Sequence, residues 1–114
     1  MRFNCLVPPI VLLLTACASP PDSVSQTLAD PGIAHGREIA ASKCSACHAI
    51  GRSDRSRHTG AVPFRSLSQL YPVDTLAESL VEGLMTGHED MPEYQFTPAA
   101  ANDFIRYLES IQAK

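Results

Sequence analysis

The stretch that decides how this chain folds is Cys44-Ser45-Ala46-Cys47-His48, which lies near the middle of a 114-residue sequence. In a helical turn, residues three and four positions apart lie on the same face. We therefore expect the side chains of Cys44, Cys47 and His48 to point in one direction. Two thiols and one imidazole would then face a single flat group.

A Cys-x-x-Cys-His run is the attachment signature of a c-type haem. The thiols add to the two vinyl groups of the porphyrin as thioethers, and the histidine ligates the iron. Haem iron accepts methionine as a second axial ligand, for which Met91 is the candidate and His88 the alternative. The sequence predicts one haem c per chain, bound covalently by Cys44 and Cys47 and ligated by His48 and Met91.

Two other kinds of site use cysteine pairs. A thioredoxin-like redox disulfide places Cys-x-x-Cys in a βαβ unit, a pattern that this sequence lacks. A structural zinc site needs four ligands, and the scattered His35, His58 and His88 would have to complete it. Both stay open as alternatives to haem attachment.

Residues 1–16 have the features of an export signal. Arg2 gives a positive start, residues 6–14 are apolar, and small residues follow. The segment is shorter than the about 20 residues that a membrane-spanning helix needs. The run Leu14-Thr15-Ala16-Cys17 resembles the bacterial lipoprotein box, which implies cleavage before Cys17 and acylation of that cysteine. An ordinary cleaved signal with a free Cys17, or an uncleaved anchor, is the alternative.

These features predict an exported protein on the periplasmic side of a bacterial membrane, anchored to it by lipid. Ala18 rather than aspartate follows Cys17, which favours the outer membrane in a Gram-negative cell. Residues 17–31 are rich in proline and serine and are predicted to form a flexible tether.

Charge excludes one class of partner. Of nine Lys and Arg residues, Arg2 precedes Cys17, so the mature chain carries eight against twelve Asp and Glu residues. The chain has no basic run of the kind that binds nucleic acid.

Residues 32–114 are predicted to form one all-α domain of three to four helices. Asp30-Pro31 predicts the start of a helix that runs into the cysteine motif. Thr75 and Glu78 fit a capping box for a second helix that ends near Gly87. Thr97-Pro98 predicts the start of the last helix, whose apolar face consists of Phe104, Ile105, Leu108 and Ile111.

With helices so placed, residues 33–114 resemble the class I cytochrome c family. The resemblance implies a bundle around a covalently attached haem, in which the first helix crosses the last. The family's contact at that crossing matches Gly36 and Ile39 against Tyr107 and Leu108.

The same resemblance implies three further haem contacts. The backbone carbonyl of a proline in the family accepts the N–H of the proximal histidine, and Pro63 is the matching residue. Arg65 and Arg52 are candidates to pair with the haem propionates, since arginine suits carboxylate; solvated charges are the alternative.

A haem ligated by histidine and methionine has no open position for a substrate. The predicted function is therefore one-electron transfer between redox partner proteins rather than enzyme catalysis. Two alternatives remain: an accessory haem subunit of a membrane dehydrogenase or oxidase, and a small-molecule-binding or peroxidatic haem in which Met91 is displaced.

Overall fold

The computed structural model describes residues 30–83 and 90–114. The predicted signal peptide, the acylated Cys17 and nearly all of the tether lie outside these residues, as do Met85 and His88. Within them the chain forms α1 (Pro31–Lys43), 3₁₀ turns at Phe64–Gln69 and Val73–Thr75, α2 (Leu76–Glu82) and α3 (Pro98–Ile111). The described part of the chain is mostly helical and contains no strand, which confirms the all-α prediction. The arrangement around a haem remains a prediction.

Helix α1 begins where its capping residue predicts. The carboxylate of Asp30 accepts hydrogen bonds from the amides of Gly32, at 2.9 Å, and Ile33, at 3.4 Å. Pro31 stands at the first helical position, where its missing N–H leaves no bond unmade. Arg106 of α3 pairs with the same carboxylate and ties this end of α1 to the last helix.

The main helix contact is the crossing of α1 and α3, and it depends on Gly36. A Cβ atom on residue 36 would lie 2.1 Å from the Asp103 carbonyl oxygen and 2.8 Å from Tyr107 Cβ. Both distances are far below van der Waals contact, and the first obstacle is backbone that cannot rotate away. The predicted contact of Gly36 with Tyr107 is therefore present, and Ala40, one turn later on α1, is fully buried.

Helix α3 supplies much of the core. Thr97 caps it by accepting a hydrogen bond from the Ala100 amide at 3.2 Å. The predicted apolar face is buried as expected, and Tyr107 joins it, with its hydroxyl donating to the Ile50 carbonyl at 2.6 Å. The buried residues of the helix are Ala101, Phe104, Ile105, Tyr107, Leu108 and Ile111.

Helix α2 begins directly after Thr75, as predicted, but the predicted capping box does not form. The Thr75 side chain does not cap the helix, because its hydroxyl donates to the Pro72 carbonyl at 2.6 Å within the preceding 3₁₀ turn. The helix ends at Glu82, where Gly83 adopts a φ of 101° that favours glycine. The predicted end at Gly87 falls outside the described residues.

A search of the described residues for helices that could cross a membrane finds none of sufficient length and hydrophobicity.

Candidate functional site

The cysteine motif forms a tight turn directly after α1. The helix ends at Lys43, and the Cys44 carbonyl accepts hydrogen bonds from the amides of Cys47, at 3.1 Å, and His48, at 2.9 Å. The α-helix thus stops before the motif, rather than running through it, but helical hydrogen bonding continues for one more turn. Cys44, Cys47 and His48 all line the same cavity, as the sequence predicts.

This cavity has a volume of about 600 Å³ and is mainly apolar. Its size falls in the range of about 300–1,000 Å³ that is typical of sites for cofactors and small molecules. Met91 lines it together with the cysteine motif. The apolar walls come from the first 3₁₀ turn, α2, α3 and the segment before α3. They include Phe64, Leu67, Leu76, Leu80, Phe96, Phe104 and Leu108.

The residues present fit a covalently bound haem. Two thiols and an imidazole from one turn share the cavity with a thioether from a segment far along the chain. Imidazole and thioether are the donors that hold haem iron in cytochromes c. The apolar lining matches the body of a porphyrin, whose burial would contribute stability in proportion to area.

The imidazole of His48 is held in a defined orientation. Its Nδ1 lies 2.8 Å from the Val62 carbonyl oxygen. A carbonyl oxygen can only accept a hydrogen bond, so Nδ1 must donate its N–H to it. The other ring nitrogen, Nε2, is then the one that can ligate a metal. The ring also packs against Phe64, with centroids 4.9 Å apart.

The carbonyl that accepts the His48 hydrogen bond belongs to Val62. The family resemblance implies Pro63 in this place, and this expectation is wrong. The carbonyl of Pro63 accepts instead from the Ser66 amide at 2.9 Å, the bond that begins the 3₁₀ turn after it. Pro63 still contributes indirectly, because a residue before proline favours extended backbone. The resemblance therefore indicated the correct segment but missed the acceptor by one residue.

Asp54 organises the loop that brings Val62 to the imidazole. Its carboxylate accepts hydrogen bonds from the amides of Ile50, at 3.0 Å, and Gly51, at 2.9 Å. Arg65 then donates to the Asp54 carbonyl at 2.8 Å. The loop is therefore held at both ends by specific bonds.

Neither arginine that the sequence offers as a propionate contact lines the cavity. Arg65 is engaged with Asp54, whose carboxylate lies 3.8 Å from its Nη1. Arg52 donates to the Ser110 carbonyl. Among the residues that the structure describes, Lys43 is the Lys or Arg side chain that lines the cavity, with its Nζ 5.2 Å from the centre of the Tyr94 ring. The sequence signal for it was its position directly before Cys44.

The stretch from Met91 to Phe96, which we call the Met91 segment, is bound to α2 by two hydrogen bonds. The Phe96 amide donates to the Leu80 carbonyl at 2.8 Å, and the Gln95 side-chain amide donates to the Val81 carbonyl at 3.0 Å. These bonds satisfy carbonyls in the last turn of α2, which has no later turn to supply donors. Phe96 also stacks on Phe104 of α3, with ring centroids 5.4 Å apart.

We expect Gln95→Leu to loosen the Met91 segment. Removing one side-chain hydrogen bond should lower the free energy of unfolding by about 0.5–1.5 kcal/mol, measured by denaturant titration. Amide hydrogen exchange at Phe96 should accelerate, because its bond to Leu80 is next to the lost one. The matched control is Gln69→Leu, since Gln69 is also exposed; equal exchange at Phe96 in both variants would contradict the assignment.

Comparison with known proteins supplies no relative. A scan of family models, a search of curated proteins and a search of solved structures each find no match to this chain. The interpretation of the cavity therefore rests on its own residues.

Cys44 does not have the lowered thiol pKa of a reactive redox cysteine. Cys44 and Cys47 are not joined by a disulfide. Burial raises the pKa of the Cys44 thiol to about 11, whereas reactive redox cysteines have a lowered pKa. Among the described residues, no three His, Cys, Asp or Glu side chains are grouped as metal ligands, so the zinc alternative gains no support there.

Proposed function

We propose that this protein is an exported one-electron carrier with one covalently bound haem c. One observation carries the proposal: Cys44, Cys47, His48 and Met91 line a single apolar cavity. These are the residues that the sequence pattern assigns to thioether formation and to the two axial positions. Three of them lie in one turn, and Met91 comes from a segment far along the chain.

Each residue has a distinct part in the proposal. Cys44 and Cys47 would hold the porphyrin covalently, and His48 would ligate the iron through Nε2 while Nδ1 donates to Val62. Met91 would supply the second axial ligand. When bound, the haem supplies a reversible one-electron couple of its iron.

The protein's own contribution is to orient these ligands and to exclude water. The hydrogen bond from His48 to a backbone carbonyl fixes the ring and raises the basicity of the ligating nitrogen. Phe64, Phe96 and Phe104 surround the cavity with apolar surface. If His48 and Met91 both ligated the iron, no ligand position would remain for a substrate, and this favours a carrier over an enzyme.

We further propose that the carrier is a lipoprotein, acylated at Cys17 and tethered to the periplasmic side of a bacterial membrane. Residues 17–31 would then link the anchor to the start of α1. Redox partner proteins would exchange electrons with the haem, and the sequence offers no surface suited to nucleic acid.

The test is to produce the full chain together with a haem-attachment system. We expect mass spectrometry to find one haem on the peptide that contains Cys44 and Cys47, resistant to acid extraction. A potentiometric titration should follow a one-electron curve. Haem that is removed by acid, or a chain that gains no haem, would contradict the proposal.

A further inference from the structure

Two contacts join residues near the cysteine motif to residues near Met91. The Nε2 atom of His58 lies 3.4 Å from a carboxylate oxygen of Asp90, the residue directly before Met91. The Nζ atom of Lys43, the last residue of α1, lies over the Tyr94 ring. All four contacting side chains line the cavity of the cysteine motif. We call them the His58–Asp90 contact and the Lys43–Tyr94 contact.

The backbone of His58 is bound to the cysteine motif. The carbonyl of Cys47 accepts hydrogen bonds from the amides of Arg57, at 3.0 Å, and His58, at 3.2 Å. These bonds attach the loop after the motif to the same turn that carries His48. Although its side chain is 47% exposed, His58 therefore has a defined place relative to the motif.

The imidazole ring of His58 is oriented by a further hydrogen bond. Its Nδ1 atom accepts the amide of Gly60 at 3.2 Å. A backbone amide can only donate, so in this arrangement the ring proton is on Nε2. The protonated nitrogen is thus the one that lies near the Asp90 carboxylate, and this makes the His58–Asp90 contact attractive.

The Lys43 side chain is positioned by α1. In the last turn of that helix the Ala40 carbonyl accepts the Cys44 amide at 3.0 Å. The Lys43 ammonium lies 5.2 Å from the centre of the Tyr94 ring, within the about 6 Å at which an aromatic face attracts a cation. Tyr94 in turn packs against Phe96, with ring centroids 5.6 Å apart. The Lys43–Tyr94 contact therefore joins the end of α1 to the Met91 segment.

We propose that His58 and Lys43 are positioning residues, which hold Met91 in the cavity and oppose its displacement by small molecules. Their partners, Asp90 and Tyr94, lie on either side of Met91 in the sequence. Movement of this stretch away from the cysteine motif would break both contacts. The inference rests on the proposed ligation by Met91, and it names residues that keep the protein a carrier rather than a binder of external ligands.

The expected size of each effect is modest, because the contacting groups are partly exposed. An exposed ion pair or an exposed cation–π contact changes an equilibrium constant by about two- to fivefold. The two contacts share no residue, so their effects should multiply, and loss of both should amount to about tenfold.

The test is a titration of the ferric, haem-loaded full chain with imidazole at a fixed, mildly alkaline pH. The signal is loss of the weak far-red absorption band that methionine ligation produces. His58→Leu and Lys43→Met should each bind imidazole about threefold more tightly than the parent, and the double variant about tenfold. Without imidazole each variant should show the band of the parent, because Met91 itself is unchanged.

Further variants test whether the named partners are responsible. Asp90→Ala should bind imidazole as tightly as His58→Leu does, and combining the two substitutions should give no further increase. Lys43→Arg keeps a cation near the Tyr94 ring and should bind imidazole as the parent does. Full additivity of Asp90→Ala and His58→Leu would show that the two side chains act separately, contrary to the proposal.

The matched control is His35→Leu. His35 forms an exposed contact of the same kind, with its Nδ1 atom 2.8 Å from the Asp103 carboxylate, but neither residue lines the cavity. Its loss should lower the free energy of unfolding and leave the imidazole affinity unchanged. An equal gain in affinity for His35→Leu and His58→Leu would assign the effect to general destabilisation and overturn the proposal.

The parent protein separates failure of this inference from failure of the proposed function. A parent that lacks the far-red band would overturn ligation by Met91, and this inference with it. If the parent has the band, but His58→Leu and Lys43→Met bind imidazole no more tightly than it does, the positioning role is wrong and the proposed function stands.

Discussion

Replacing Met91 by leucine in the haem-loaded protein should lower the reduction potential and allow carbon monoxide to bind the ferrous form at neutral pH. A thioether ligand stabilises ferrous iron, and axial ligands set haem potentials over a range of about 0.8 V. Leucine keeps the volume and apolar character of the side chain but supplies no donor atom. The ferric protein should also lose the weak far-red absorption band that methionine ligation produces.

Met85→Leu is the matched control for this experiment. It removes the same atoms from a methionine that follows the apolar residues Leu80, Val81 and Leu84 in the sequence, a pattern in which methionine more often packs than ligates. Its spectrum and potential should therefore equal those of the parent. If the far-red band survives in Met91→Leu, the second ligand is not Met91. Loss of the band in Met85→Leu would identify Met85, and absence of the band in the parent would favour His88 or an open position.

The double variant Cys44→Ala/Cys47→Ala should lose cooperative thermal unfolding. Without covalent attachment, the walls of a cavity of about 600 Å³ have no bound group to pack against. The apolar walls would lose the burial that the bound group provides, which contributes stability in proportion to area, and the whole stability of a domain is only about 5–15 kcal/mol.

The measurement is calorimetry and near-ultraviolet circular dichroism on the parent, the double variant and Ser45→Ala. Ser45 lies in the same turn, and its hydroxyl donates to the Ala41 carbonyl at 2.6 Å. Ser45→Ala should therefore lose about 1 kcal/mol and keep a sharp transition. A sharp, native-like transition in the double variant would show that the helices are stable without the attached group.

Local sequence signals predicted the helix starts, and the family resemblance implied the helix crossing. The caps of α1 and α3 could be predicted because the hydrogen bonds of Asp30 and Thr97 reach only two or three residues along the chain. Gly36 was predictable because a glycine on a helix face permits a close backbone approach, and the nearest obstacle is indeed the Asp103 backbone.

Contacts that depend on loop conformation were not predictable. Val62 rather than Pro63 accepts the His48 hydrogen bond, because the Pro63 carbonyl is taken by the following turn. Arg52 bonds to Ser110, a partner 58 residues away. No spacing rule reaches such a distance, so the charge could be recognised in the sequence but its partner could not.

The bond from His48 to Val62 has a consequence for how mutation can act on the site. Its acceptor is a main-chain oxygen, which every amino acid provides, so substituting residue 62 does not by itself delete the bond. A side-chain substitution at residue 62 should therefore leave the orientation of the imidazole unchanged. Substitutions elsewhere can disturb it, such as loss of the Asp54 carboxylate that holds the start of the loop.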